Sequence, residues 1–144
     1  MMKRILDKLK LIVYICLTIL WILVIFSFSM QSGEESSQVS GGFISTVLGV
    51  FLPDDFTYMA ELEFVVRKLA HYTEYMVLGI LMCLTLREAK IPKQMIIGFI
   101  ICIVIASCDE TIQLFSGGRS GKIADVILDG IGAFAGLFLI SRFK

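Results

Sequence analysis

Four long apolar runs set the terms for this chain: residues 11–28, 64–86, 95–115 and 123–140. Each approaches the roughly 20 residues that a helix needs to cross a hydrocarbon core. Lipid offers the backbone no hydrogen-bond partners, so each run must satisfy its own N–H and C=O groups by coiling into a helix. The composition agrees, with 57% hydrophobic and 18% charged residues, where soluble chains carry roughly 45–50% and 25%. A disordered chain, a nucleic-acid binder and a disulfide-stapled secreted module all fit that balance poorly. The 144 residues amount to a single domain, residues 1–144. The predicted fold class is all-α: an integral membrane, antiparallel four-transmembrane-helix bundle whose first partner is the lipid bilayer.

The formal net charge of zero hides a separation along the chain. The N-terminal tail, the hinge around Arg87, Lys90 and Lys93, and the C-terminus together carry nine basic residues against two acids, Asp7 and Glu88. The opposite ends of the runs hold Arg67, Lys68, Arg119 and Lys122 against eleven acids. Positive-inside bias predicts a multi-pass protein of the cell membrane with both termini in the cytoplasm. The competing reading of the first run is a signal peptide, with a basic start and Ser27-Phe28-Ser29 behind it. Its apolar core exceeds the ~7–15 residues usual for such a peptide, which favours a retained span.

Between the first two spans lies a serine-rich stretch, Gln31 to Gln38, followed by an apolar stretch at residues 43–52. The latter is too short to cross and predicts an extra interfacial or re-entrant helix. Pro53-Asp54-Asp55 predicts a break after it. Short connections at residues 87–94, with Pro92, and at the glycine-rich residues 116–121 suit antiparallel neighbours. Cys16, Cys83, Cys102 and Cys108 all fall in spans without metal or redox spacing, and are read as packing residues.

The spans stop being apolar at one end. Arg67, Lys68, His71, Glu74 and Tyr75 open the second span and fall within one helical sector of roughly 120°. Asp109, Glu110 and Gln113 close the third, and Asp125 and Asp129 open the fourth, one turn apart. A charge at the bilayer centre costs ~2.5–3.5 kcal/mol on insertion scales. Three helices bearing that cost at one depth predict side chains facing each other across an interior cavity. The carboxyls exceed the fixed cations Arg67, Lys68 and Arg119, so protons, water or a bound cation must balance them. A proton shared between Asp125 and Asp129 is one solution. Bland readings stand beside these: His71 as a hydrogen-bonded interfacial residue, Lys122 as a loop residue at headgroup level, Glu34 and Glu35 as a solvated face, and Gly132-x-x-x-Gly136 as close helix packing.

At these residues the chain resembles the VanZ-like family of bacterial membrane proteins. The resembling blocks are Phe28-Ser29-Met30-Gln31-Ser32-Gly33, then Arg67-Lys68-x-Ala70-His71-x-x-Glu74-Tyr75-x-x-Leu78-Gly79. Asp109-Glu110-x-x-Gln113, Arg119 and Asp125-x-x-x-Asp129-x-x-Gly132 follow in order. Met30 departs from the family's pattern, where a second serine is expected. The family's founding member is associated with low-level resistance to the glycopeptide teicoplanin. The resemblance therefore implies an architecture and an antibiotic-resistance phenotype of the cell envelope, but no reaction.

Two functional readings follow. In the first, a polar pocket in the outer half of the membrane binds a lipid-linked wall precursor, an anionic lipid or the glycopeptide itself. Arg67, Lys68 and Arg119 then hold phosphate or carboxylate. Tyr75, Glu110, Gln113, Asp125, Gln31 and Ser32 complete that ligand-binding set. In the second, the chain is an intramembrane enzyme acting on a lipid phosphate, with His71, Glu74, Asp109 and Asp129 as its catalytic residues. Carboxylates from two helices plus a histidine suit a hard or borderline metal, without a spacing that names one. The sequence names no cofactor. An ion path is disfavoured because the opposite halves of the spans are almost uniformly apolar.

Overall fold

The structure is a computed structural model that describes residues 2–47, 59–119 and 121–143. Five helices follow one another: α1 (Met2–Ser29), α2 (Gly33–Val47), α3 (Met59–Glu88), α4 (Gln94–Phe115) and α5 (Ile123–Arg142). α1, α3, α4 and α5 are long and apolar enough to cross a membrane. Each contains one of the four apolar runs. α1 starts already at Met2, because the Lys-, Arg- and Leu-rich tail consists of strong helix formers. The bundle's outer surface is apolar, with Leu9, Leu20, Leu23, Ile96, Ile100 and Ile131 exposed, as a surface solvated by lipid tails requires.

The extra helix between the first two spans is present as α2, and it begins earlier than the apolar stretch suggested. Its start is a reciprocal cap. Glu35 N–H donates to the Ser32 hydroxyl at 3.2 Å, while Ser32 N–H donates to the Glu35 carboxylate at 2.8 Å. The Ser32 N–H and, at 3.0 Å, the Ser32 hydroxyl both donate to the Glu35 carboxylate and hold its pKa below the ordinary value. Ser36, Ser40 and Ile44 recur every fourth residue and form the buried face of α2, which packs on α3. Residues 48–52 and the break expected at Pro53-Asp54-Asp55 lie outside the described residues.

Consecutive spanning helices run antiparallel, so α3 and α5 run in the same direction, and this parallel pair is the most extensively packed in the bundle. Glycine makes that approach possible. A Cβ on Gly132 would lie 2.4 Å from the Tyr72 carbonyl oxygen, and one on Gly136 2.0 Å from that of Met76. From the other side, a Cβ on Gly79 would lie 2.2 Å from the Ala133 oxygen. Close helix packing is thus what Gly132-x-x-x-Gly136 provides. Beneath the contact sit Tyr75, Leu78, Cys102, Ala106 and Ala133, all buried.

The turns explain the topology. Lys90 adopts the left-handed conformation (φ 57°) after α3, with Ile91 N–H donating to Leu86 C=O and Lys90 N–H to Arg87 C=O. That is the hydrogen-bond pattern that terminates a helix in a Schellman motif. Arg87 reaches across to α5 and donates to the Ile140 and Phe143 carbonyls at 2.6 and 2.9 Å, placing a cation on that helix's negative end. At the other end, Gly118 (φ 76°) turns the chain between α4 and α5, and Gly117 C=O accepts the Gly33 N–H at 2.8 Å. One expectation is corrected here. Cys83 and Cys102 are buried packing residues, but Cys16 and Cys108 face outward on their helices.

Gly136→Ala is expected to lower stability by at least ~1–3 kcal/mol, because a backbone carbonyl cannot yield as a flexible side chain does. Gly42→Ala, with nothing within 4 Å of its new methyl, is expected to gain up to ~1 kcal/mol of helix propensity. Thermal unfolding of the two variants in detergent checks both signs.

Candidate functional site

The polar residues gather at the end of the bundle where α1 and α4 finish and α3 and α5 begin. The contact of Gly132 with Tyr72 fixes α3 against α5 here. It brings His71 opposite Asp129, with Nδ1 3.8 Å from Oδ1. α4 adds Asp109 and Glu110 from successive positions. One donor atom from each of His71, Asp109, Glu110 and Asp129 lies within 4.8 Å of the others. Asp109 and Asp129 are fully buried (0% exposed) and Glu110 nearly so.

These acids differ in what holds them. Asp109 accepts hydrogen bonds from the Ser29 hydroxyl, at the last residue of α1, and from the Gln113 amide at 3.4 Å. Glu110 accepts from the same amide at 3.1 Å and from Lys122 N–H at 2.8 Å. Asp125 is taken by Lys68 in a hydrogen-bonded ion pair. Asp125 thus turns to Lys68, and among the described residues no hydrogen bond joins it to Asp129, so the structure does not show a proton shared between them. Both oxygens of Asp129, the facing His71 Nδ1 and the Tyr75 hydroxyl are buried with no hydrogen-bond partner among the described residues.

Two cavities open at this end. The first, of about 540 Å³, is polar and is lined by Arg67, Lys68, Arg119, Lys122, Glu34 and Asp125, with His71 and Gln113 reaching into it. The second, of about 490 Å³, runs between α1, α2 and α3 along Phe28, Val39, Phe43, Val66 and Leu69. Arg67, His71 and Arg119 line both, so the cavities meet at these side chains. Arg67 donates to the Ser37 hydroxyl at 3.1 Å, and Arg119 to the Phe28 carbonyl at 3.1 Å. A guanidinium carries about five N–H donors, so most remain for something else. Burial, and next the nearby Arg67 charge, hold the Arg119 guanidinium below its ordinary value. Two like charges beside one cavity are relieved by an anion between them.

A family model described as VanZ/LLP1 matches residues 14–144. The chain belongs to the VanZ/LLP1 family. No curated protein and no solved structure matches it. In this VanZ/LLP1 chain, family membership and four apolar helices together identify a multi-pass membrane protein.

The structure sorts the residues singled out in the sequence into groups. His71, Asp109, Glu110 and Asp129 form the buried cluster, with Gln113 bridging two of its acids and Tyr75 close by in the core. Arg67, Lys68, Arg119 and Asp125 line the polar cavity. Glu74 stands apart from the cluster: it lines the second cavity, and its carbonyl accepts the Trp21 indole N–H at 2.9 Å. Gln31 lies in the second cavity as well, whereas the hydroxyl and amide of Ser32 are engaged in the cap of α2. Sequence reasoning missed Ser29, which steadies Asp109, and Glu34 and Ser37, which line the polar cavity. The Ser32-x-x-Glu35 capping box was the available signal that the serine-rich stretch is a helix with one face toward the bundle.

Asp125→Ala and Lys68→Ala are each expected to destabilise by about 1–3 kcal/mol, because each leaves a poorly hydrated charge without its partner. The double variant should cost less than the sum of the two. A double-mutant cycle by thermal or denaturant unfolding measures that difference.

Proposed function

We propose that this chain binds an amphipathic lipid with an anionic head, a lipid-linked wall precursor or anionic phospholipid. The head occupies the polar cavity and the tail lies along the apolar one. The observation that carries the reading is the meeting of a cation-lined cavity with an apolar groove at Arg67, His71 and Arg119. A phosphate between the two guanidiniums accepts charge-assisted hydrogen bonds from both. The groove residues Val39, Phe43 and Leu69 are exposed on the outside of the bundle, where an acyl or prenyl tail already resides. The lysine and arginine bias supports cytoplasmic termini, and hence a pocket in the outer leaflet. Holding an envelope lipid there is the route by which the chain contributes to envelope modulation or to teicoplanin resistance.

One observation favours a second reading: His71 borders both cavities and also faces Asp129. A phosphate held by the arginines would meet an imidazole able to accept a proton, as hydrolysis of a lipid phosphate requires.

Mass spectrometry of co-purifying lipids tests the first reading. Wild type is expected to be enriched in anionic lipid over the bulk membrane. Arg67→Ala and Arg119→Ala should each lower that enrichment about tenfold or more, the worth of a hydrogen bond to a charged group. Equal lipid content in all three proteins overturns it. Phosphate released from bound lipid by wild type, and lost in His71→Ala while lipid binding persists, replaces binding by catalysis.

A further inference from the structure

The buried cluster carries an inference that needs no lipid. Asp129 is fully buried, and among the described residues neither of its carboxylate oxygens has a hydrogen-bond donor. Its near neighbour, His71 Nδ1, is likewise buried and has no hydrogen-bond partner among the described residues. A buried polar group without a partner costs about 1–3 kcal/mol, and a charged one more. Among the described residues, no lysine ammonium or arginine guanidinium comes within 4.0 Å of a carboxylate oxygen of Asp109, Glu110 or Asp129. Lys68, the ammonium at this end of α3, is committed to Asp125.

The neighbouring acids have a complementary arrangement. Asp109 is oriented by Ser29 and Gln113, and Glu110 by Gln113 and the Lys122 amide, so each carboxylate is fixed in direction while keeping lone pairs to offer. Outer hydrogen bonds of this kind are what hold ligands in place around an ion. Two oriented carboxylates, one carboxylate with nothing to bind and one imidazole nitrogen with nothing to bind therefore converge on one point. They come from three helices, and all lie within 4.8 Å of one another.

We infer that His71, Asp109, Glu110 and Asp129 bind a divalent cation of the first transition row, of the Zn²⁺ or Mn²⁺ type. Metal–ligand bonds of about 2.0–2.2 Å place facing donors up to ~4.4 Å apart, within a few tenths of an ångström of the observed spread. The imidazole favours these ions over Ca²⁺, which takes 6–8 oxygen ligands at roughly 2.3–2.6 Å. Two of the three carboxylate charges are offset, and the partnerless atoms of Asp129 and His71 acquire a partner. The cation sits beside the floor of the polar cavity, since His71 and Gln113 line both.

The test uses the full chain purified in detergent, loaded with Zn²⁺ or Mn²⁺ and desalted, with metal content read by elemental mass spectrometry. Wild type and the distant control Asp7→Asn are expected to keep about one ion per chain, and Asp129→Asn at least about tenfold less at matched free metal. A chelator should lower the Tm of wild type and leave that of Asp129→Asn unmoved. His71→Ala serves as the second variant if Asp129→Asn does not fold. Equal metal in wild type and both variants overturns the inference. So does a wild-type Tm indifferent to chelator combined with a higher Tm for Asp129→Asn, the signature of a buried acid relieved of its charge. Lipid content is not read, so failure here leaves the lipid reading standing, and failure there leaves this one.

Discussion

Backbone-to-backbone contact between α3 and α5 is the constraint on which the rest of the arrangement depends. Helices in lipid gain little from burying apolar side chains against each other, because the lipid tails are equally apolar. Their association rests on close packing, and Gly79, Gly132 and Gly136 provide it where a methyl group would collide with a carbonyl. The same contact sets the polar geometry. Tyr72 lies against Gly132, one residue after His71 and three after Asp129 respectively, so the separation of imidazole and carboxylate follows from how closely the two backbones approach.

Around that pair the ionisable groups fall into two regimes. Toward the cavity mouth, Lys68 is paired with Asp125, while Arg67 and Arg119 donate to a neutral hydroxyl and a carbonyl and keep donors in reserve. Deeper in, three acids share one histidine and a few neutral donors, and Asp129 receives none of those donors. Isolated ionised groups at such depth are not sustainable, so the inner regime depends on what occupies the site, whereas in the outer one only the Lys68–Asp125 pair is complete within the protein.

Much of this was legible in the sequence, for identifiable reasons. Lipid forces every spanning segment into a helix, so length and hydropathy located α1, α3, α4 and α5. The cost of charge in hydrocarbon forced the polar residues of three helices toward a common interior, and His71, Asp109, Glu110 and Asp129 do converge. What the sequence did not reveal depends on helix phase and on contacts between distant segments. Cys16 sits in as apolar a run as Cys83 and Cys102, and only rotation about the helix axis turns it, like Cys108, outward. Ser29 gains its role from a neighbour 80 positions away. α2 was obscured because its buried face uses serine, a residue usually counted as polar loop. The pairing of Asp125 with Lys68 instead of Asp129 likewise depends on α3 lying alongside α5 in the same direction.

Arg87 gives the parallel pair a second fastening. Its guanidinium grips the last carbonyls of α5 from the last turn of α3, at the end of the molecule opposite the acids. A slip of one turn, about 5.4 Å, between α3 and α5 would set Leu128 or Ile140 where only a glycine fits against the α3 carbonyls. Such a slip would pull the fork off its carbonyls and carry the Asp129 carboxylate past the imidazole by more than their present separation. Longitudinal registry is therefore locked from the far side as well, so a charge counted in the sequence merely as a topology signal also works as a mechanical stop.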